Sequence, residues 1–202
     1  MKKNIKVAIV SVIVLFSTIS TTFAQHEQTI VGSSGWGFSG AWGGWSFNLG
    51  QFDKQSAGYN GGVWALEFGK KLYVGGLHYT INNAPLPNSS VNTFTMRSDN
   101  LLIGYTPISY RPIHPVISCA IGSGKITTLE GTQNSLVVQP AVGMEINVTR
   151  WCHVDAQVGY RAVTNSNFHA YENKDFSGLY GQLNLKFGFS WGRYKTREYN
   201  DN

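Results

Sequence analysis

Five charged side chains hold most of the chemistry this sequence could do: Glu67, Glu145, Asp155, Arg161 and Lys186. Each stands in a stretch that alternates between apolar and polar residues, on the polar side, and Gln157 and Gln182 share such positions. Alternation with a period of two marks strands, because successive side chains point to opposite faces. If the polar faces meet in one interior, the acids and bases there must pair, since a buried charge without a partner is costly. A packed polar network is therefore expected, with a proton or ion path through it as the alternative.

The other reactive groups carry weaker signals. His153-x-Asp155 points two polar groups to one side, but no serine or cysteine stands on that face of the same segment as a nucleophile. His26, His114 and His169 are scattered without metal-ligand spacing, so neither a metal nor a cofactor is expected. Cys119 and Cys152 share the apolar parity two strands apart. That separation, about 10 Å, exceeds the usual disulfide limit, and free thiols are expected. The glycines between residues 32 and 62 contain no phosphate-loop element and no helix follows them. They suit a curved sheet instead.

The front of the chain sets the compartment. Lys2, Lys3 and Lys6 flank the start of an apolar stretch over 7–16 that only Ser11 interrupts. Thr21-Thr22-Phe23-Ala24 then supplies small residues before Gln25, so residues 1–24 read as a secretory signal peptide. The stretch falls short of the roughly 20 apolar residues of a spanning helix. No cysteine follows the cleavage site to carry a lipid anchor. The formal net charge is +5, and removing the three leader lysines leaves +2. A nucleic-acid partner is not expected on that charge.

Downstream, eight alternating segments position the charged residues: 34–47, 59–68, 72–82, 98–106, 116–125, 135–148, 152–163 and 176–191. In the first, Trp36, Phe38 and Trp42 share one parity and Trp45 and Phe47 the other, which predicts a bulge near Gly43-Gly44. In the third, Tyr73, Leu77, Tyr79 and Ile81 oppose His78 and Thr80, which places His78 with the polar, lumenal parity. In the last, Leu179, Leu183, Leu185, Phe187 and Phe189 oppose Tyr180, Gln182, Asn184 and Lys186. Residues 69–71 and 149–151 form tight turns, whereas 48–58, 83–97, 126–134 and 164–175 read as long polar connections.

Segments of about ten residues suit strands that cross a bilayer at a tilt. Short turns at one end and long loops at the other are the membrane-barrel pattern. Trp151 and Trp191 sit beside the short-turn ends and Tyr73 begins a strand there, as interfacial aromatics do. Closure removes unpaired edges, which hydrocarbon does not tolerate. The expected fold is all-β, an eight-stranded antiparallel up-and-down transmembrane β-barrel over residues 25–191, followed by a polar periplasmic tail over 192–202. An exported soluble β-barrel or sandwich that binds a ligand is the alternative. Phe168, His169 and Tyr171 in the last loop suit a surface contact, and equally an inert loop.

The runs Gly37-Phe38-Ser39-Gly40, Gly61-Gly62-Val63-Trp64 and Gly75-Gly76-Leu77-His78-Tyr79 resemble small outer-membrane β-barrel proteins of Bacteroidota. More broadly the chain is similar to the eight-stranded OmpA/OmpX-like barrels. Leu183-Asn184-Leu185-Lys186-Phe187-Gly188-Phe189 is similar to the aromatic last strand that barrel-assembly machinery recognises. The resemblance implies the outer membrane as location, its lipid and lipopolysaccharide as surroundings, and a non-enzymatic structural or surface-interaction role. Some outer-membrane barrels are lipid A deacylases with a His and a Ser on the lipid-facing wall. Here Thr80 stands where Ser would, and His78 has lumenal parity, which weighs against that enzyme. Three features depart from the pattern: the tail from Gly192 to Asn202, the long proline-rich connection over 107–115, and Pro140 inside a strand.

Overall fold

A computed structural model describes residues 37–52, 55–86, 89–166 and 168–190. The expected leader, His26, Trp36, Trp191 and the tail lie outside the described residues. Among the described residues eight strands follow one another: β1 (Phe38–Phe52), β2 (Gln55–Phe68), β3 (Leu72–Leu86), β4 (Ser89–Tyr105), β5 (Ile113–Thr128), β6 (Gly131–Asn147), β7 (Cys152–Thr164) and β8 (Gly178–Ser190). A one-turn helix, α1 (Asn173–Phe176), precedes β8. Each strand pairs antiparallel with the next, and β1 pairs with β8, so the sheet closes into a barrel.

Closure leaves each side chain two destinations, and the sequence alternates accordingly. Along β8, Leu183 and Phe187 are exposed on the outer wall while Asn184 and Lys186 are buried inside. Trp45, Phe47 and Leu49 of β1, Leu101 and Ile103 of β4, and Ile117 and Ile121 of β5 are likewise exposed. The expected assignment of apolar faces outward and charged faces inward therefore stands for most strands.

Three expectations need correction. The connections expected over 48–58, 83–97 and 126–134 are mostly strand: β1 and β2 pair as far as Phe52 with Gln55, and β5 and β6 as far as Thr128 with Gly131. Polar residues hide strand ends from a reading based on hydrophobic alternation, yet their backbones pair equally well. The long connections expected over 107–115 and 164–175 are present, at 106–112 and 165–177, on opposite ends. The expected bulge at Gly43-Gly44 is absent, since register runs unbroken there; it falls between Phe38 and Gly40. Trp42 is thus an inward residue, its ring 5.4 Å from that of Tyr73. Finally, Phe176 belongs to α1 rather than to the last strand.

The barrel has two distinct ends. At the turn end, Gly69 and Lys70 both take a left-handed φ of 57°, which closes the short β2–β3 connection. The proline-rich connection is tied down there, because Asn147 Nδ2 donates to the carbonyls of Ser109 and Arg111 at 3.1 and 3.0 Å. At the hairpin end, the β7–β8 loop is held by the Glu130 carboxylate, which accepts from the backbone of His169 and Ala170 at 2.9 Å each.

Gly104 is one of several glycines needed for a close approach. A Cβ on Gly104 would lie 2.0 Å from Cζ of Tyr73, a buried ring that cannot move without disturbing Trp42. Gly104→Ala should cost about 1–3 kcal/mol through overpacking. Gly181→Ala, where nothing lies within 4 Å, should cost little. Urea unfolding midpoints of the two variants check this, and equal midpoints would contradict it.

Candidate functional site

The barrel interior is where most of the charged residues meet. Inward positions on β6, β7 and β8 are occupied by Glu145, Asp155 and Lys186, all nearly or fully buried. The strand register sets Glu145 directly opposite Asp155. Two carboxylates so placed repel each other. Lys186 relieves that repulsion by reaching both: its Nζ lies 2.7 Å from Glu145 Oε2 and 2.8 Å from Asp155 Oδ2. The ammonium also sits 4.5 Å from the Trp42 ring centre and 5.2 Å from that of Tyr73. Aromatic faces favour a cation that has left water.

Neighbouring amides complete the network. Gln157 Nε2 donates to Asp155 Oδ2 at 2.7 Å, and Asn184 Nδ2 donates to the same oxygen at 3.1 Å. Ser118 donates to Gln157 Oε1 at 2.6 Å, and half-buried Gln182 donates to Asn184 at 2.8 Å. Four polar side chains from β5, β7 and β8 are thus chained to the buried Asp155 carboxylate. Such networks fix geometry because each member is held by the next.

Two histidines face Glu145. His153 Nδ1 lies 3.2 Å, and His114 Nε2 3.7 Å, from Glu145 Oε1. His114 Nδ1 is bonded to the Arg111 carbonyl at 3.0 Å. A carbonyl only accepts, so Nδ1 carries that hydrogen. With Trp42, Tyr73 and Lys186 these groups line a cavity of about 60 Å³. Pockets that hold small-molecule ligands run to about 300 Å³ or more, so this one has room for water and little else. Among the described residues no group of three His, Cys, Asp or Glu side chains is arranged to hold a metal.

Arg161 does not join the ion pairs expected for it. It is fully buried one level further along the barrel. Its Nε donates to the Phe176 carbonyl at 3.1 Å and its Nη1 to the Tyr59 hydroxyl at 3.0 Å. The guanidinium stacks 4.2 Å over the Phe52 ring. Above it Phe52, Phe94 and Phe176 pack at 5.1 and 5.2 Å between centres, with Met96, Ile126 and Val163 buried around them. The interior toward the hairpin end is therefore a hydrophobic core, not the uniformly polar lumen that alternation suggests. Glu67 stands apart as well, at the turn end, where Ser39 and Ser190 donate to it at 3.1 and 2.9 Å.

The same effect reverses β3. Tyr73, Leu77, Tyr79 and Ile81 are buried inside, so His78 faces outward rather than into the lumen. Its Nδ1 lies 2.6 Å from Asp99 Oδ1 on β4, a pair on the outer wall in which His78 is partly and Asp99 largely exposed. Nothing local to β3 distinguishes an apolar inner face from an apolar outer one. The signal that could have separated them is Asp99, whose outward parity on β4 needs a partner across the strand pair. Of the loop residues singled out for surface contact, Phe168 and Tyr171 are half-buried against Phe176, at 5.7 and 6.3 Å. His169 is exposed. Cys119 and Cys152 are free, as expected.

Removing Lys186 should expose the cost it offsets. Lys186→Met strands two facing carboxylates and should destabilise the barrel by about 3–5 kcal/mol. Adding Glu145→Gln and Asp155→Asn should restore most of that loss. Urea unfolding of the folded barrel in detergent micelles reads both. Equal midpoints for wild type and Lys186→Met would show that the bridge contributes nothing.

No family model matches the chain, and no curated protein sequence matches it. Solved structures do. Neisserial surface protein A aligns with a TM-score of 0.52 at 14% identity, over 76% of this chain and 97% of that one. The N-terminal β-barrel domain of Pseudomonas aeruginosa OprF aligns at 0.50 with 12% identity, over 76% and 99%. The outer membrane protein OprG of the same bacterium aligns at 0.44 with 10% identity, over 78% and 98%. At these identities the likeness is one of fold: the chain is a closed, eight-stranded, all-antiparallel up-and-down β-barrel, and its structural neighbours are small outer-membrane barrels.

Proposed function

We propose that this chain is a non-enzymatic outer-membrane β-barrel with a structural or surface-interaction role, its interior filled by its own side chains. The observation that carries the reading is the apolar outer wall. Trp45, Leu49, Trp64, Leu101, Ile117, Val142, Val158 and Leu183 are all at least two-fifths exposed, on seven of the eight connected strands. Water-soluble proteins rarely leave so continuous an apolar surface uncovered. On β5 the outward residues run without a charge from Ile113 to Ile121. Nine residues span about 30 Å of strand, and a tilt near 40° gives a band about 23 Å tall. That height suits a bilayer core.

The leader expected over 1–24 supports export, and the aromatic strand from Leu183 to Phe189 supports insertion by barrel-assembly machinery. Outer-membrane lipid and lipopolysaccharide are then the partners of the wall. The ring cluster of Phe52, Phe94 and Phe176 above Arg161 supports a closed interior, so no ion pathway is proposed. The hairpin end, carrying His169 and Glu130, is the face free to meet other molecules.

A second reading, a lipid-modifying enzyme, draws on the His78–Asp99 pair. A carboxylate that holds an imidazole on the lipid-facing wall is what a general base needs. Thr80 shares that face two residues along, but no hydroxyl among the described residues is hydrogen-bonded to His78. For this reason the non-enzymatic reading is preferred. Lipid A from cells with wild-type protein and with His78→Ala should have the same mass spectrum; a difference would favour the enzyme.

The membrane reading predicts fractionation with outer membranes and a gel mobility that shifts on heating. Leu183→Lys, which puts a charge on the wall, should cost about 2–4 kcal/mol in bilayer stability if it lies near the midplane. Recovery of wild-type protein as a soluble periplasmic species would overturn the reading.

A further inference from the structure

The apolar band ends along a row of polar outward residues, and two cations stand just beyond it. Outward along β4 toward the hairpin end the order is Leu101, Asp99, Arg97; along β5 it is Ile121, Ser123, Lys125. Arg97 and Lys125 are both exposed and are direct cross-strand partners. Their Cβ atoms are therefore about 5 Å apart on one face, a juxtaposition of like charges that destabilises a sheet when nothing lies between them. Among the described residues no acid is a direct cross-strand partner of either cation. Arg97 faces Thr80 on its other side and Lys125 faces Asn134. Asp99, diagonal to Lys125, is held by His78. Among the described residues neither cation forms an ion pair.

Height decides what could fill the gap. Arg97 lies two residues beyond Asp99, about 7 Å further along the strand. On a tilted strand this puts both cations a few ångströms above the hydrocarbon edge, where lipid phosphates lie. Arg presents a planar fork to phosphate oxygens and Lys a compact charge beside it. Thr80 and Asn134 add neutral polar groups on either side, and Asn60 extends the row beyond Thr80. A phosphate flanked by sugar hydroxyls matches that row better than a bare phosphodiester does.

We propose that Arg97 and Lys125, with Thr80 and Asn134, form an outer-wall site for a phosphate of lipid A, the phosphorylated glycolipid of the outer leaflet. The inference rests on the membrane reading above and names the lipid group this face takes. The bound phosphate converts a repulsive cation pair into a bridged one.

The test uses the full chain recovered from outer membranes and placed in phosphatidylcholine nanodiscs. These contain bisphosphorylated lipid A, chemically dephosphorylated lipid A or phosphatidylglycerol at equal mole fraction. Native mass spectrometry reads the lipid retained. Wild type should retain phosphorylated lipid A about tenfold better than either other lipid, as expected for one or two charge-assisted hydrogen bonds. Arg97→Gln with Lys125→Gln should abolish that preference, while Arg150→Gln at the turn end leaves it intact. In zwitterionic detergent without lipid A the double variant should be no less stable than wild type, because a repulsion has been removed. Equal retention of the three lipids by wild type, or an unchanged preference in the double variant, would overturn the site. A wild-type protein that enters nanodiscs yet ignores phosphate removes this inference alone, whereas one that does not enter membranes removes the reading beneath it.

Discussion

A sheet that closes on itself gives every side chain one of two solvents, and all else in this structure follows from that constraint. With β1 hydrogen-bonded to β8, no strand edge remains to be satisfied by water. Alternate residues then face a small interior or the outside, without a third choice. Charged residues that fall inward must solve their electrostatics within the barrel. Lys186 does so for Glu145 and Asp155, which the register forces into opposition. The bridge is thus a consequence of closure and register together, not of a local motif.

The interior is divided in a way that serves the same end. Toward the turns it is polar, hydrogen-bonded and lined by histidines; toward the hairpins it is aromatic and apolar. Arg161 sits at the junction and satisfies its charge with a carbonyl, a phenol and a ring face rather than with an acid. Such partners hold a guanidinium in place at the cost of leaving its Nη2 without a hydrogen bond. A junction of this kind stiffens the barrel across β1, β2, β7 and the α1 loop.

Much of this was legible beforehand. Eight segments, their antiparallel order and the inward sense of Glu145, Asp155 and Lys186 all follow from period-two alternation, which is strong where one face is greasy and the other charged. Alternation misleads where both faces carry the same signal. On β3 an apolar inner face of Tyr73, Leu77, Tyr79 and Ile81 looks like a wall, so alternation alone puts His78 on the wrong side. Toward the hairpin ends polar residues on both faces look like loop, although the ladders of β1–β2 and β5–β6 continue. The partner of each charge was not legible at all, because it depends on register and shear, which put Glu67 and Arg161 at different levels from Lys186.

Nitroxide scanning of β8 addresses the central claim most directly. Single cysteines from residue 179 to 189, in a background lacking Cys119 and Cys152, would carry spin labels in a bilayer. Collision rates with oxygen, which dissolves in lipid, should rise at Leu179, Leu183, Leu185 and Phe187 and fall at Tyr180, Gln182, Asn184 and Lys186. A flat profile, or high collision rates at the second set with a water-soluble nickel reagent instead, would contradict a barrel that is apolar outside and filled within.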